Sequence, residues 1–196
     1  GVDDILTVGV SARAFTDPDF RPGSGRCVQR NPDKWGQPKG CEGEGFKKKP
    51  RIAWGKPDGG YEMSSDAMFI HPKQKGNKIP GVSHANGVLV ADYNGDNIPD
   101  MFVADSSFGW DGTYQSLYLS NKDGTWTYST HSHVSNPGID FGHGGATGDI
   151  DGDGDIDVMV TKVGKGIACY MNNGDGTFKY KNKCYTGMTV YTISLA

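Results

Sequence analysis

A nine-residue acidic segment, Asp92-Tyr-Asn-Gly-Asp-Asn-Ile-Pro-Asp100, returns 57 residues later as Asp149-Ile-Asp-Gly-Asp-Gly-Asp-Ile-Asp157. Each copy runs directly into an apolar stretch, Met101-Phe-Val-Ala and Val158-Met-Val-Thr. A second pair follows in the same order. Tyr118-Leu-Ser-Asn-Lys-Asp-Gly-Thr-Trp126 matches Tyr170-Met-Asn-Asn-Gly-Asp-Gly-Thr-Phe178 at an offset of 52 residues. Two linked matches in one order mean a repeated supersecondary unit, and a repeated unit must bury its apolar faces against its own neighbours. That requirement constrains the fold more than any other feature of the chain.

Each unit reads as short strands. Val88–Ala91 leads into the first acidic loop and Met101–Ala104 leaves it. Ser116–Ser120 and Thr125–Thr130 form a hairpin about Asn121-Lys-Asp-Gly, with Asp-Gly suited to positive φ. The second unit repeats this with Ile167–Met171, the turn Asn173-Gly-Asp-Gly, and Phe178–Tyr180. The chain holds 30 Gly beside 8 Phe, 9 Tyr and 4 Trp, which is tight turns between short strands and not a disordered composition. No helical periodicity of useful length is present. The expected class is all-β, built from β-propeller blades of about four antiparallel strands. Residues 51–196 supply the blades, with the clear repeats at 79–135 and 139–188.

The N-terminal region divides in two. Residues 1–16 read as the remnant of an earlier blade, with Ile5-Leu-Thr-Val-Gly-Val as the strand after a lost acidic loop. Residues 17–50 are rich in Pro, Gly and Lys and read as a long insertion loop. Arg51-Ile-Ala-Trp, Tyr61-Glu-Met and Ala67–Ile70 are further strand candidates, and Thr189–Leu195 is a β-like run with no partner after it. Both ends look like interrupted propeller, so the expectation is a processed product or a piece of a longer chain.

Four cysteines fall into two local pairs, and none lies in a Cys-x-x-Cys motif. We expect disulfides Cys27–Cys41 and Cys169–Cys184, each closing a loop of about 15 residues and worth roughly 3 kcal/mol on a chain-entropy account. Disulfides imply an oxidising, extracellular or cell-surface setting. No apolar run approaches the roughly 20 residues of a membrane span. The net charge of −3 argues against a nucleic-acid partner, and Lys47-Lys-Lys49 with Arg51 reads as a solvated loop.

The acidic loops carry the chemistry. Calcium takes six to eight oxygen ligands, and oxygens at alternating positions of a tight loop converge on one centre. The second loop offers the side chains of Asp149, Asp151, Asp153 and Asp157 with the Asp155 carbonyl. The first offers Asp92, Asn94, Asp96 and Asp100 with the Ile98 carbonyl. Carboxylates this crowded repel one another unless a cation compensates them. An EF-hand also begins this way but requires a bidentate Glu at position twelve, where this chain has Val103 and Val160. Magnesium, which keeps several waters, suits these loops less well. We therefore expect two Ca²⁺ sites.

Phe141-Gly-His-Gly-Gly-Ala-Thr-Gly-Asp-Ile-Asp-Gly-Asp-Gly-Asp-Ile-Asp-Val158 resembles an FG-GAP repeat, also called a VCBS-type repeat. Such repeats are the calcium-binding blades of integrin α-subunit propellers and of many bacterial and algal surface proteins. Gly87–Ala104 is similar, but it lacks the Phe-Gly start and carries Asn94. The resemblance spans roughly residues 80–180 and implies blade architecture and calcium. Family propellers usually have seven blades, and this chain has room for roughly three to four, so it implies part of a larger propeller or assembly.

Three roles follow as expectations. The first is a calcium-binding extracellular module for cell adhesion, ligand binding or surface assembly, meeting a protein or glycan. The second is a structural subunit of an extracellular filament or sheath, completed by further copies through strand addition. The third is a part of a polysaccharide-active enzyme. No catalytic pair is evident. Ser64-Ser65-Asp66 and Ser106-Ser107 lack a Gly-x-Ser-x-Gly elbow. His131, His133 and His143 lack a carboxylate or Cys to complete a zinc set, and His131-Ser-His133 reads as one face of a strand or loop. Among Trp35, Trp54, Trp110 and Trp126, we expect Trp126 in a blade core and Trp110 on an exposed loop.

Overall fold

The computed structural model describes residues 5–7, 51–63, 68–70, 85–106, 114–185 and 193–194, with the backbone alone for 5–7 and 51. The Cys27–Cys41 pair, the 17–50 insertion, Trp35, Trp110 and Ser64–Asp66 lie outside these residues.

Thirteen strands among the described residues form three sheets. The first is β1 (Ile5–Thr7), β2 (Arg51–Gly55) and β3 (Tyr61–Met63), an antiparallel meander. The second holds β4 (Phe69–Ile70), β5 (Ala85–Ala91), β6 (Asp100–Asp105), β7 (Ser116–Ser120) and β8 (Trp126–Tyr128). The third holds β9 (Val134–Ser135), β10 (Gly142–Gly148), β11 (Asp157–Lys162), β12 (Gly166–Asn172) and β13 (Phe178–Tyr185). The two larger sheets share one topology. Four strands meander antiparallel, and the short strand preceding them returns to pair parallel with the last, in the orders β4-β8-β7-β6-β5 and β9-β13-β12-β11-β10. Equivalent residues share a register: Ala91 faces Asp100 as Gly148 faces Asp157, and Tyr118 faces Tyr128 as Tyr170 faces Tyr180.

Strand alternation explains how the sheets stack. Every residue of β6 is buried. Phe102 and Ala104 face the third sheet, in a cluster with Val158, Val160, Ala168, Tyr170 and Phe178. Met101 and Val103 face the opposite way, in a cluster with Phe69, Tyr118, Tyr128 and Ile52 of the first sheet. The middle sheet is therefore covered on both faces. The far face of the third sheet carries a smaller cluster, Ile167, Cys169 and Met171, on which Ile193 packs. Trp126, expected in a core, is half-buried against the second cluster and lines a cleft of about 330 Å³ with Trp54, Val90 and Pro99.

Two elements depart from the sequence reading. The glycine-rich stretch before the second acidic loop is strand β10, lying beside β5, with the Asn86 side chain donating to the Gly142 carbonyl at 3.1 Å. Glycine is required at position 145, where a Cβ would sit 2.7 Å from the Met159 carbonyl oxygen of β11 and 2.9 Å from Leu89 Cδ1 of β5. Absent side chains thus erase the alternation by which a strand is normally recognised. The other departure is Thr130–His133, a single helical turn, α1, where a strand or loop face was expected.

The disulfide expected between Cys169 and Cys184 is present, with a Cα–Cα distance of 5.7 Å. No helix among the described residues is long and apolar enough to cross a membrane.

Candidate metal sites

Both acidic loops are hairpin connections between the first two meander strands of their sheets, β5–β6 and β10–β11. Their internal bonding repeats position by position. At position one, Asp92 accepts the amides of Gly95, Asp96 and Asn97 at 2.8, 3.1 and 2.7 Å. Asp149 accepts those of Gly152, Asp153 and Gly154 at 2.7, 3.2 and 3.0 Å. At position five, Asp96 accepts the Ile98 amide at 2.9 Å and Asp153 the Asp155 amide at 3.0 Å. To bring these amides round, positions four and six take positive φ: Gly95 (73°) and Asn97 (67°) in the first loop, Gly152 (80°) and Gly154 (96°) in the second. Glycine and asparagine are the residues that accept this conformation cheaply.

Position nine closes each loop from inside. Asp100 is fully buried; it accepts the Tyr93 amide at 3.0 Å and the Ser120 amide at 2.8 Å. Asp157 is also fully buried; it accepts the Ile150 amide at 2.9 Å and the Asn172 amide at 2.7 Å. Each carboxylate therefore fastens the start of its own loop to the third meander strand. Asp100 Oδ2 and both Asp157 oxygens accept one amide each and keep a further lone pair, whereas Asp100 Oδ1 also accepts the Ser120 hydroxyl at 3.1 Å. Burial pushes the Asp100 carboxyl above the usual aspartate range, against the Ser120 and Tyr93 hydrogen bonds that pull it down.

The sequence-predicted donors separate by their surroundings. Asp149, Asp151 and Asp153 are exposed, and their carboxylate oxygens lie within 4.8 Å of one another, close enough for one ion. Desolvation, then the charges of Asp153, Asp157 and Asp149, raise Asp151 above the ordinary range. Desolvation and the neighbours Asp153, Asp149, Asp157 and Asp175 do the same to Asp155. In the first loop Asn94 stands in place of a carboxylate; its side-chain oxygen accepts the Asp96 amide at 3.0 Å and its amide nitrogen approaches Asp96 at 3.4 Å. Asp149, Asp151 and Asp153 of the second loop are gathered, and a hard divalent cation fits such a donor set; Asp92, Asp96 and Asp100 of the first loop do not all come within that distance of one another.

The histidines do not assemble. Among the described residues, the group of His, Cys, Asp and Glu able to share an ion is the aspartate triplet alone. His131 packs edge-on against Tyr114 and Tyr128, His133 pairs with Ser132 Oγ at 2.8 Å, and His143 stacks on Phe141. Ser106 is fully buried.

Two further groups were not foreseen in the sequence. Asn172 is buried at the end of β12 and bonds both acidic loops, as described below. Lys162, only 1% exposed, forms an ion pair with buried Asp140 at 3.3 Å and donates to the side-chain and main-chain oxygens of Asn182. Tyr180 donates its hydroxyl to the same Asp140 carboxylate. Lone ionic residues scattered through a sequence carry no periodic signal, so only the folded chain reveals such a pair.

The family model of the FG-GAP-like repeat matches residues 92–160. No curated protein and no solved structure matches the chain. The matched span opens on the first acidic loop, runs through β6 to β10, and ends in β11 beyond the second loop. With the paired loops and the duplicated sheet topology, it identifies residues 92–160 of this chain as an FG-GAP-like repeat.

Proposed function

We propose that this chain is a calcium-stabilised module of an extracellular β-propeller, serving adhesion, ligand binding or surface assembly. The observation that carries the reading is the convergence of Asp149, Asp151 and Asp153 within 4.8 Å in a loop whose bonding is duplicated at Asp92–Asp100. One ion per loop would be held by positions one, three and five, the carbonyl of position seven and position nine. Calcium, when bound, neutralises the crowded carboxylates and rigidifies the turn. The stacking of similar sheets, with β5 and β10 adjacent, supports the propeller arrangement, and the Cys169–Cys184 disulfide supports an oxidising compartment. The adhesive role rests on the kinship of the repeat.

Calorimetric titration of the full chain tests this directly. The expected stoichiometry is two calcium ions, falling to one in Asp151→Asn/Asp153→Asn. At 100-fold excess over Kd each ion adds about 2.7 kcal/mol of stability, so two sites raise Tm by roughly 10–20 °C over the value in EDTA. No uptake from millimolar calcium, or equal response to magnesium, overturns the assignment.

Acid should release the metal early. Asp151 and Asp155 hold protons more tightly than ordinary aspartates because of desolvation and their charged neighbours. Protons and calcium compete for the Asp151 carboxylate, and protonating Asp155 removes attracting charge beside the ion, so affinity falls as pH is lowered through that raised range. Titrations at pH 7, 6 and 5 should show a progressive loss that begins above the pH at which an isolated aspartate protonates. An affinity flat across these three conditions contradicts it.

A further inference from the structure

We propose that the two acidic loops bind calcium cooperatively, and that Asn172 is the positioning residue that couples them. The inference rests on the calcium reading above and adds to it a thermodynamic link between the sites.

Asn172 is 5% exposed and every polar group of its side chain is engaged. Its side-chain nitrogen donates to the carbonyl of Tyr93, position two of the first loop, at 2.8 Å. The same nitrogen donates to the carbonyl of Ile156, position eight of the second loop, at 3.1 Å. Its side-chain oxygen accepts the amides of Asn173 and Gly174 at 2.9 and 3.2 Å. Its own amide donates to Asp157, and the Tyr93 amide donates to Asp100. A continuous hydrogen-bonded path thus runs from Asp100 through Tyr93 and Asn172 to Asp157, joining the closing carboxylates of both loops.

The turn after Asn172 makes a second path. A Cβ on Gly174 would lie 2.6 Å from Asp155 Oδ2, and one on Gly176 would lie 3.1 Å from Asn94 Cβ. A Cβ on Gly95 would in turn meet the Gly174 carbonyl at 3.6 Å. The β12–β13 turn is therefore wedged between position three or four of one loop and position seven of the other. Ordering either loop restricts this turn, so the second ion meets a loop already partly ordered.

The residue equivalent to Asn172 in the second sheet is Ser120, whose hydroxyl turns back to Asp100 at 3.1 Å.

The test is a thermodynamic cycle on the full chain with calcium alone as ligand. Single-loop constants come from Asp151→Asn/Asp153→Asn, which silences the second loop, and from Asp96→Asn, which leaves the first loop with asparagine at the same two positions and silences it. The wild-type two-ion association constant should exceed the product of those two constants by about fivefold or more, the lower range of measured couplings. In an Asn172→Ser background the ratio should fall at least twofold towards one while both loops still bind, the remainder being carried by the turn contacts at Gly174 and Gly176. Should Asn172→Ser fold poorly, hydrogen exchange reads the link without altering position 172. In Asp96→Asn, calcium entering the second loop should slow exchange of the Gly95 and Asn97 amides in the first. A ratio of one in the wild type, or unchanged exchange at those amides, overturns the coupling and leaves the calcium assignment standing. Failure of both loops to take up calcium overturns that assignment, and the coupling with it.

Discussion

Lys162→Met lowers the unfolding free energy by about 3–5 kcal/mol, measured by chemical denaturation in EDTA. The magnitude follows from the environment. Lys162 and Asp140 are 1% and 4% exposed, and the lysine is the cationic partner of that carboxylate at 3.3 Å. Methionine keeps most of the side-chain volume but leaves Asp140 charged and buried with only the Tyr180 hydroxyl and its own desolvation to contend with. An uncompensated buried charge costs far more than the pair itself contributes. The double variant Lys162→Met/Asp140→Asn should therefore recover much of the loss, because asparagine still accepts from Tyr180 and no charge remains unpaired. Burial and the Asp140 carboxylate push the Tyr180 hydroxyl well above the usual phenol range. A double variant no more stable than the single one would show that packing around the lysine stem, and not charge, dominates.

Asp157→Ala lowers stability by about 3–5 kcal/mol even with calcium chelated, whereas Asp151→Ala under the same conditions leaves stability unchanged or raised. Both residues are candidate ligands, but only one is built into the fold. Asp157 is fully buried and accepts the Ile150 and Asn172 amides at 2.9 and 2.7 Å. Hydrogen bonds to a charged acceptor contribute about 1.5–3 kcal/mol each, and the orphaned Asn172 amide, which is buried, adds a desolvation cost. Asp151 is exposed, and desolvation followed by the like charges of Asp153, Asp157 and Asp149 pushes its carboxyl upward. Removing it in the absence of a cation relieves repulsion. Equal, small effects of the two substitutions in EDTA would mean that Asp157 serves the metal alone.

Much of the architecture was legible in the chain. The strands β6, β7 and β12 emerge from their apolar runs almost as expected, because each is buried on both faces and needs continuous hydrophobic residues. Strand β10 was hidden, since Gly142, Gly144, Gly145 and Gly148 remove the side chains that make a pattern; a Cβ would run into Gln115 at Gly142, and into the Met159 carbonyl and Leu89 of β5 at Gly145. The helical turn Thr130–His133 was too short for a period to register. The parallel pairing of β9 with β13, through Phe178–Val134 and Lys179–Ser135, involves only two residues of β9 and leaves no local mark.

The acidic loops were determined by the sequence itself, because their contacts are local. Asp149 caps amides three to five residues ahead, Asp153 one two residues ahead, and glycines at positive φ allow the curl. Residues that touch within one turn specify that turn before the rest of the chain folds. Tertiary structure alone decided which partners meet across sheets. Asn172 reaches Tyr93 across a separation of 79 residues, and Asn86 reaches Gly142 across 56. Such contacts depend on the registers of several strands at once, and they exist only after burial of Phe102, Tyr170 and Phe178 has set the sheets face to face.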